Sequence, residues 1–549
     1  MMSLESEDLA FLPLGGTGEI GMNFNLYRCD GHWLAVDCGI GFGGSALPEV
    51  EIMMPDPAFI AERHEDLVGL VLTHAHEDHL GAVPWLWRFL RCPVYATPFT
   101  AAVLQAKLVE EKLERDVPLI VVQPGGVLNL PPFVVRFFPV THSTPEAQAL
   151  AITTRHGTVL HTGDWKLDPH PLIGPPTDEE AFAKLGETGV LAMVCDSTNA
   201  VVEGHSGSEA DVRRSLAALV RNLRGRVVVT CFASNVARIE SIALAAQAAG
   251  RTVIVVGRSL RKLEAAARAS GYLKGIPEFL TEEDAGSVPD ERALLLVTGS
   301  QGEPNSALAR IAADTHRRIA LGEGDTVVFS SRVIPGNEQA ITAVQEALVR
   351  RGVRLMTDRD HMVHVSGHPA RDELRRLYRL VRPGWSVPVH GEWRHLAAHA
   401  ELAKELGVAP IMLEDGDILR LAPGTPQVVD SAPVGRLVRD GDRLLPLGGE
   451  VMSARRRMLF HGAVVASLAV DAAGRLRGEP QLSAPGLFEL GDPESERVLS
   501  EFTDALAELP PAVRSDQRNF AEAAKTALRR VLSRHLAKRP LVDVHILRI

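Results

Sequence analysis

The sequence predicts an α/β protein in which a β-rich frame is split by an inserted doubly wound unit and followed by a small α+β C-terminal domain. Three observations predict this. Over residues 1–209, apolar strand-like runs close in a residue able to bind metal or in a Gly-rich turn. From about 210, apolar runs of four to six residues alternate with helices. Near 386 the β-rich texture resumes.

In the first segment the strand-like runs are "HWLAVDCGIG" (32–41), "LVGLVLTH" (67–74), "FVVRFFPVTH" (133–142) and "TVLHTGD" (158–164). The second segment, 210–362, opens on "GRVVVTCFASNVARIESIALAAQAAG" (225–250), a strand, a short loop and a helix. "RTVIVVGRS" (251–259), "ALLLVTGSQGEPNSALARIA" (293–312) and "DTVVFSSRVIPGNEQAITAVQEALVRRG" (325–352) repeat that theme. Short, wholly apolar strands between helices are the mark of a parallel sheet covered on both faces, with ligand loops at its carboxyl edge. The frame returns over 363–431, where "SVPVHGEWRHLAAHAELAKELG" (386–407) reads as strand, turn and helix. A Pro/Gly/Asp-rich stretch, 432–450, reads as a linker, and 451–549 as the final domain.

With 549 residues the chain is too long for one core, and about three to four domains are expected. The N-terminus, "MMSLESEDLAFLPLGG", lacks the basic and apolar regions of a signal peptide, and no apolar run is long enough to span a membrane. Five cysteines, scattered and without a CxxC pair, argue against a disulfide framework or a thiolate zinc site. They fit small buried hydrophobes in a reducing cytoplasm. The net charge of −11 does not favour a nucleic-acid partner, although basic residues cluster in "GRSLRKLEAAAR" (257–268), "RDELRRLYRLVRP" (371–383) and "SARRRM" (453–458). Such clusters are more often solvated helix faces than substrate tracks.

The densest chemistry lies in "LTHAHEDHLGAVPWL" (72–86), with an HxHxDH pattern between a strand and a helix. His74 and His76 can face one ion, while Asp78 and His79 turn toward a second. His142, Asp164 and His390 each close a further apolar strand. Together they give His74, His76 and His142 for one ion, Asp78, His79 and His390 for another, and Asp164 as a bridge. Nitrogen and carboxylate ligands without thiolate suit Zn²⁺ or Mn²⁺. Two such ions about 3.5–4 Å apart lower the pKa of a shared water and clamp both oxygens of a displacement. This is the chemistry of a hydrolase.

These residues resemble the metallo-β-lactamase superfamily, which implies a four-layered αββα sandwich. In addition, 226 residues separate Asp164 from His390, and a whole α/β unit in that gap resembles the β-CASP arrangement of nucleic-acid-processing members. "CDSTNA" (195–200), "HVSGHP" (364–369) and "VPVHGEWRHL" (387–396) carry the likeness. It implies that Asp196, His368 and His390 are that group's acidic, second and third motifs. With "GGTGEIGMN" (15–23), "GDWKLD" (163–168), "FASN" (232–235), "VTGSQGEP" (297–304) and "IPGNE" (334–338), nearly the whole chain resembles the ribonuclease J family.

That resemblance implies a two-metal ribonuclease with Asp78, Asp196 and His368 in catalysis, His368 donating a proton to the leaving 3′ oxygen or steadying the phosphate. It further implies 5′→3′ exonuclease action favouring a 5′ monophosphate, together with endonuclease action, in mRNA decay and RNA maturation. Candidates for a 5′-phosphate pocket are Ser234, Asn235, Ser330, Ser331, His364, Ser366, Gly367 and His368, in hydroxyl- and Gly-rich turns where free N–H groups favour anions. For each serine an N-cap is an equally good reading. Ala237, Arg332 and Val333 depart from the relatives' pattern, which bears on that pocket and leaves the metal ligands untouched. Asp37, His32, His161 and Glu392 are expected to be supporting or structural. Single-stranded RNA is the implied partner, with a homodimer or tetramer through the final domain and an RNA helicase or other nucleases of a degradation complex. The competing readings are a DNA-processing β-CASP nuclease, a small-ester or thioester metallo-hydrolase, and a silent scaffold.

Overall fold

The computed structural model describes residues 7–43, 47, 50–334, 336–489 and 491–549. The first six residues of the N-terminal stretch and Pro335 of "IPGNE" lie outside the described residues. The chain forms two compact units, one ending at Arg436 and one spanning Leu437–Ile549.

Two sheets make the frame of the first unit. Among the described residues one has eight strands, ordered Gln427–Ser431, Asp417–Ala422, Leu9–Gly15, Phe24–Cys29, His32–Val36, Leu67–Val71, Val94–Ala96 and Leu119–Val121. The other has seven, ordered Val127–Leu130, Phe133–Pro139, Gln148–Thr154, Gly157–His161, Ala192–Asp196, Trp385–Val389 and Ala409–Pro410. Strand periodicity explains why they stack. In Phe133–Pro139, Phe133, Val135 and Phe137 point inward, whereas Val134 and Arg136 face out. The inward set meets Leu9, Phe11, Tyr27, Leu34, Val36 and Val71 of the first sheet in one buried cluster. Each fully buried side chain of this size stabilises the fold by about 1.5–3 kcal/mol.

Helices cover the outer faces. Arg371–Val381 buries Leu374, Leu377, Tyr378 and Val381, the i, i+3, i+4, i+7 stripe of a helix with one apolar face. These residues pack with Phe182, Leu402 and Ala403 of neighbouring helices onto Phe138, Leu160 and Met193 of the seven-stranded sheet. Pro98–Glu110 lies against the strands Val94–Ala96 and Leu119–Val121 on the other sheet. The result is the expected αββα sandwich.

The insertion leaves the frame after Ala192–Asp196, and the chain rejoins it at Trp385–Val389, the parallel neighbour of that strand. Between them lies a six-stranded sheet, ordered Leu280–Thr281, Thr252–Val256, Ala293–Val297, Val227–Thr230, Thr326–Phe329 and Arg354–Met356. All its neighbours are parallel. Within 432–450, the expected linker, the structure forms an antiparallel strand pair, Arg436–Asp440 with Arg443–Pro446. Pro, Gly and Asp serve a tight hairpin as readily as a linker, which accounts for the difference.

In the second unit the strand Ala463–Val470 alternates buried and half-buried residues between Gln481–Ser483 and the parallel Leu541–Arg548. Helices Pro493–Ala507 and Gln517–His535 start on the side-chain caps Asp492 and Asp516. They bury Val498, Phe502, Phe520, Leu528 and Val531 against the sheet.

Candidate active site

The strand Leu67–Val71 delivers the HxHxDH loop to the edge of the sandwich, and one buried carboxylate holds it there. Asp37 accepts hydrogen bonds from the Thr73 amide (2.8 Å), from Thr73 Oγ1 (2.8 Å) and from His79 Nδ1 (2.7 Å). Gly39 lies against the same loop so closely that a Cβ there would sit 1.8 Å from the Asp78 carbonyl oxygen, so only glycine fits.

The remaining imidazoles are oriented in the same way, from behind. His142 Nδ1 donates to the Gly367 carbonyl (2.7 Å), and His390 Nδ1 donates to Asn23 Oδ1 (3.0 Å). Carboxylate, carbonyl and amide oxygens only accept, so Nδ1 carries the proton and each Nε2 turns a lone pair into the site. His74 Nδ1 is held by Thr73 Oγ1 at 3.0 Å.

These nitrogens converge on Asp164. Its Oδ2 lies 3.3 Å from His79 Nε2, 3.4 Å from His390 Nε2, and 3.7 Å from both His74 Nε2 and His142 Nε2. His76 Nδ1 faces His142 Nε2 at 3.1 Å. Asp78 Oδ2 lies 3.6 Å from His79 Nε2 and 3.8 Å from His390 Nε2. The structure thus gathers two donor groups, His74, His76, His142 with Asp164, and Asp78, His79, His390 with Asp164. In each, the donor atoms lie within 4.8 Å of one another.

The residues fit divalent metal. His74 Nε2, His390 Nε2 and Asp164 Oδ1 are buried with no hydrogen-bond partner among the described residues. A buried polar atom left unpaired costs about 1–3 kcal/mol, and a shared cation removes that cost. Charge state agrees for the first triad, whereas at His79 burial is outweighed by the carboxylates of Asp164, Asp78 and Asp37, which hold the imidazole well above its usual range. Burial pushes His74 and His142 well below the usual imidazole range and His76 down to about 4, leaving the neutral form that ligates metal. Burial alone would raise Asp164, but the imidazoles of His390, His79 and His368 hold it well below the usual carboxylate range.

Beside this cluster His368 is built differently. Its Nδ1 bonds Asp196 Oδ2 at 2.8 Å, and its side chain is 22 % exposed. Burial works against its charge, yet the carboxylates of Asp196 and Asp164 raise it to about 9. Asp164, Asp196, His368 and His390 form a third close group.

The expected phosphate residues fall into two sets. Ser366 Oγ accepts from Asn199 Nδ2 (2.7 Å) and from the His368 amide (3.1 Å). Gly367 packs on His142, and His364 Nδ1 is buried without a partner among the described residues. These lie in the same short segment as His368. Asn235 and Ser330, by contrast, are engaged within the fold. Asn235 Oδ1 caps the helix Val236–Ala248 and its Nδ2 donates to Glu209. Ser330 Oγ donates to the Val363 carbonyl (2.6 Å) and accepts from Arg238 (2.8 Å). Ser234 is half-buried and Ser331 buried nearby in sequence. The basic runs are largely ion-paired on the surface, as with Arg375 to Asp372, Arg268 to Glu264 and Arg455 to Asp440.

Several contributors escape sequence reasoning. Asn23, Thr73 and Asn199 have no pattern beyond membership of a short motif, and Asn23 shows its role only once it lies between His79 and His390.

Comparison with known proteins decides the family. The chain is 45% identical to ribonuclease J of Sinorhizobium meliloti over 99% of its own length and 98% of the relative's. It belongs to the ribonuclease J family. Ribonuclease J of Mycobacterium tuberculosis strain H37Rv is 40% identical over 90% and 88% of the two chains, and that of Helicobacter pylori strain 26695 is 31% identical over 99% and 80%. Family models place a beta-lactamase superfamily domain at 32–213 and the ribonuclease J beta-CASP domain at 224–348. A Zn-dependent metallo-hydrolase RNA specificity domain follows at 352–413 and the ribonuclease J C-terminal domain at 450–549. A solved protein of unknown function from Enterococcus faecalis V583 shares the fold, with TM-score 0.52 and 16% identity over 75% of this chain and 99% of that one. As a ribonuclease J family member, the chain is a metal-dependent nuclease of the hydrolase class that binds RNA. Among the described residues no helix is long and apolar enough to cross a membrane.

Proposed function

We propose that the protein hydrolyses phosphodiesters of single-stranded RNA with two divalent ions, Zn²⁺ or Mn²⁺. It acts as a 5′→3′ exonuclease favouring 5′-monophosphate ends and as an endonuclease, in mRNA decay and RNA maturation. The observation that carries this reading is the convergence of both ligand triads on Asp164 Oδ2 with the Asp196-bound His368 beside them. Ions held by His74, His76, His142, Asp78, His79, His390 and Asp164 would supply water activation and neutralise charge on the phosphoryl group.

The chain's own residues do the rest. Asp196 occupies His368 Nδ1, so the Nε2 proton is the one available to the leaving 3′ oxygen. His364, Ser366 and the Gly367 backbone receive the 5′ phosphate, with Ser234 and Ser331 on the inserted side. Asn235 and Ser330 hold that side in shape through Arg238. Five buried free cysteines support a cytoplasmic setting. A homodimer or tetramer through the C-terminal unit, and a helicase or further nuclease as partner, complete the proposal. A DNA-processing role is the second reading, separated by dependence on the 2′-OH.

The test uses 3′-labelled single-stranded RNA ending in 5′ monophosphate, hydroxyl or triphosphate, with Mn²⁺ or Zn²⁺. Loss from the 5′ end, fastest with monophosphate and absent in an Asp78→Ala, His79→Ala protein, is expected. Internal cuts indifferent to the 5′ group would remove the phosphate pocket from the proposal. Cleavage of DNA alone would replace the substrate.

A further inference from the structure

A second concave site lies in the first unit, lined by residues that adjoin the strand pair following His390. The His390 amide donates to the Gly16 carbonyl (2.8 Å), and the next residues pair in parallel, Thr17 with Gly391 and Gly18 with Glu392. Beyond that pair opens a cavity of about 550 Å³, within the size range of small-molecule sites. Nothing in the metal chemistry described above uses it.

Its walls have a distinctive chemistry. Leu14, Met22 and Pro55 supply apolar surface. Trp393, three positions after His390, lines the cavity with its side chain 52% exposed. Glu19, Glu414 and Asp415 bring three carboxylates against one guanidinium, Arg436, which is already paired with Glu19. Asp415 Oδ1 accepts from the Thr17 amide (3.0 Å), while Thr17 Oγ1 is buried with no hydrogen-bond partner among the described residues. A Cβ at Gly18 would meet nothing within 4 Å, so the mouth is open there.

A phosphate is the wrong occupant, since the acceptors outnumber the cation and would repel it. A flat, uncharged ring bearing N–H donors matches on both counts. Its face stacks on an indole, and its edge donates to carboxylate and hydroxyl oxygens. Burial and the neighbouring Glu19 carboxylate push Asp415 up to about 7, so the wall is poised to share protons as well as accept them.

We propose that this cavity receives a nucleobase of the RNA chain, with preference for bases carrying an exocyclic amino group. The proposal rests on the ribonuclease reading given above. Trp393 supplies the stacking face, and Glu19 and Thr17 select the base edge.

The experiment separates binding from cleavage. Fluorescein-labelled, 5′-phosphorylated oligoadenylate and oligouridylate of equal length are titrated with the full chain in chelator, followed by anisotropy, so that no RNA is cut. The wild type is expected to bind oligoadenylate several-fold more tightly. Trp393→Ala weakens binding by about tenfold, the loss of one stacked base, and Trp393→Phe restores most of it. Glu19→Gln narrows the adenylate preference. Equal binding of the two polymers by the wild type, or full affinity in Trp393→Ala, overturns the nucleobase site. Thermal melts of each variant identify any that fail to fold, and the Trp393→Phe protein then decides by keeping or losing the adenylate preference. Cleavage is scored afterwards with Mn²⁺. A protein that discriminates bases but cuts no RNA loses the hydrolase reading and keeps this site, and one that cuts without discrimination does the reverse.

Discussion

The two halves that meet around His368 treat buried polar atoms in opposite ways. On the metal side, His74 Nε2, His390 Nε2 and Asp164 Oδ1 are buried and unpaired among the described residues, although Nδ1 of both imidazoles is bonded from behind. On the inserted side the network around Arg238 is closed on itself. Arg238, 1% exposed, binds Glu209 through Nε (3.0 Å) and Nη2 (2.8 Å). Its Nη1 donates to the Ser330 carbonyl (2.8 Å), to Ser330 Oγ and to the Val363 carbonyl (2.9 Å). Unpaired donors and acceptors mark where the molecule expects something else to bind. A satisfied network marks a joint, here one that ties the helices Glu209–Asn222 and Val236–Ala248 to the segment leading into "HVSGHP".

Substitutions can break that contrast or sharpen it. The largest effect is expected from Asp164→Ala, which removes the atom both triads share. RNA hydrolysis should fall by on the order of a thousandfold or more, and bound metal, measured by mass spectrometry of the intact chain, should fall with it. Next, Arg238→Met leaves the Glu209 carboxylate buried without its cation. Urea unfolding should show a loss of about 3–5 kcal/mol with metal content per folded chain unchanged. An equal loss of metal would show that the joint belongs to the site after all. Asp37→Asn, acting only through His79 and Thr73, should weaken metal affinity by about 10–100-fold in a chelator competition.

The smallest effect concerns Asp415. Its proton is held more tightly in the folded chain, at about 7 against an ordinary 3.8, because of burial and Glu19. Stability is therefore lost as pH rises through that window and is fully paid above it. Asp415→Asn keeps an acceptor for the Thr17 amide. It should melt a few degrees higher than the wild type at pH 8, with the gap closing as pH falls from 7 toward 4.

The clustering of His74, His142, Asp164 and His390 was legible in the sequence because each closes an apolar run, which puts them on one rim. The parallel inserted sheet was legible for the same reason, since the apolar runs Val227–Val229 and Ala293–Val297 lie between helices. Asn235 and Ser330 were harder. A polar residue at a helix start looks alike in sequence whether it caps the helix or meets an anion, and only the bonds to Glu209 and Val363 show where these side chains are used. The Arg238–Glu209 pair had no signal at all. Its partners stand 29 positions apart on two helices, each indistinguishable from a surface charge until the helices pack.

The place of His390 in the chain has a consequence for synthesis. A ribosome making this chain adds that histidine only 226 positions after Asp164. At ordinary elongation rates the 226 residues after Asp164 take roughly ten to fifty seconds. Throughout that interval the nascent chain, still tethered to its own message, has one complete set of donors and lacks the last member of the other. A nuclease with this connectivity is unarmed for the whole of that interval, while it is attached to the RNA that encodes it.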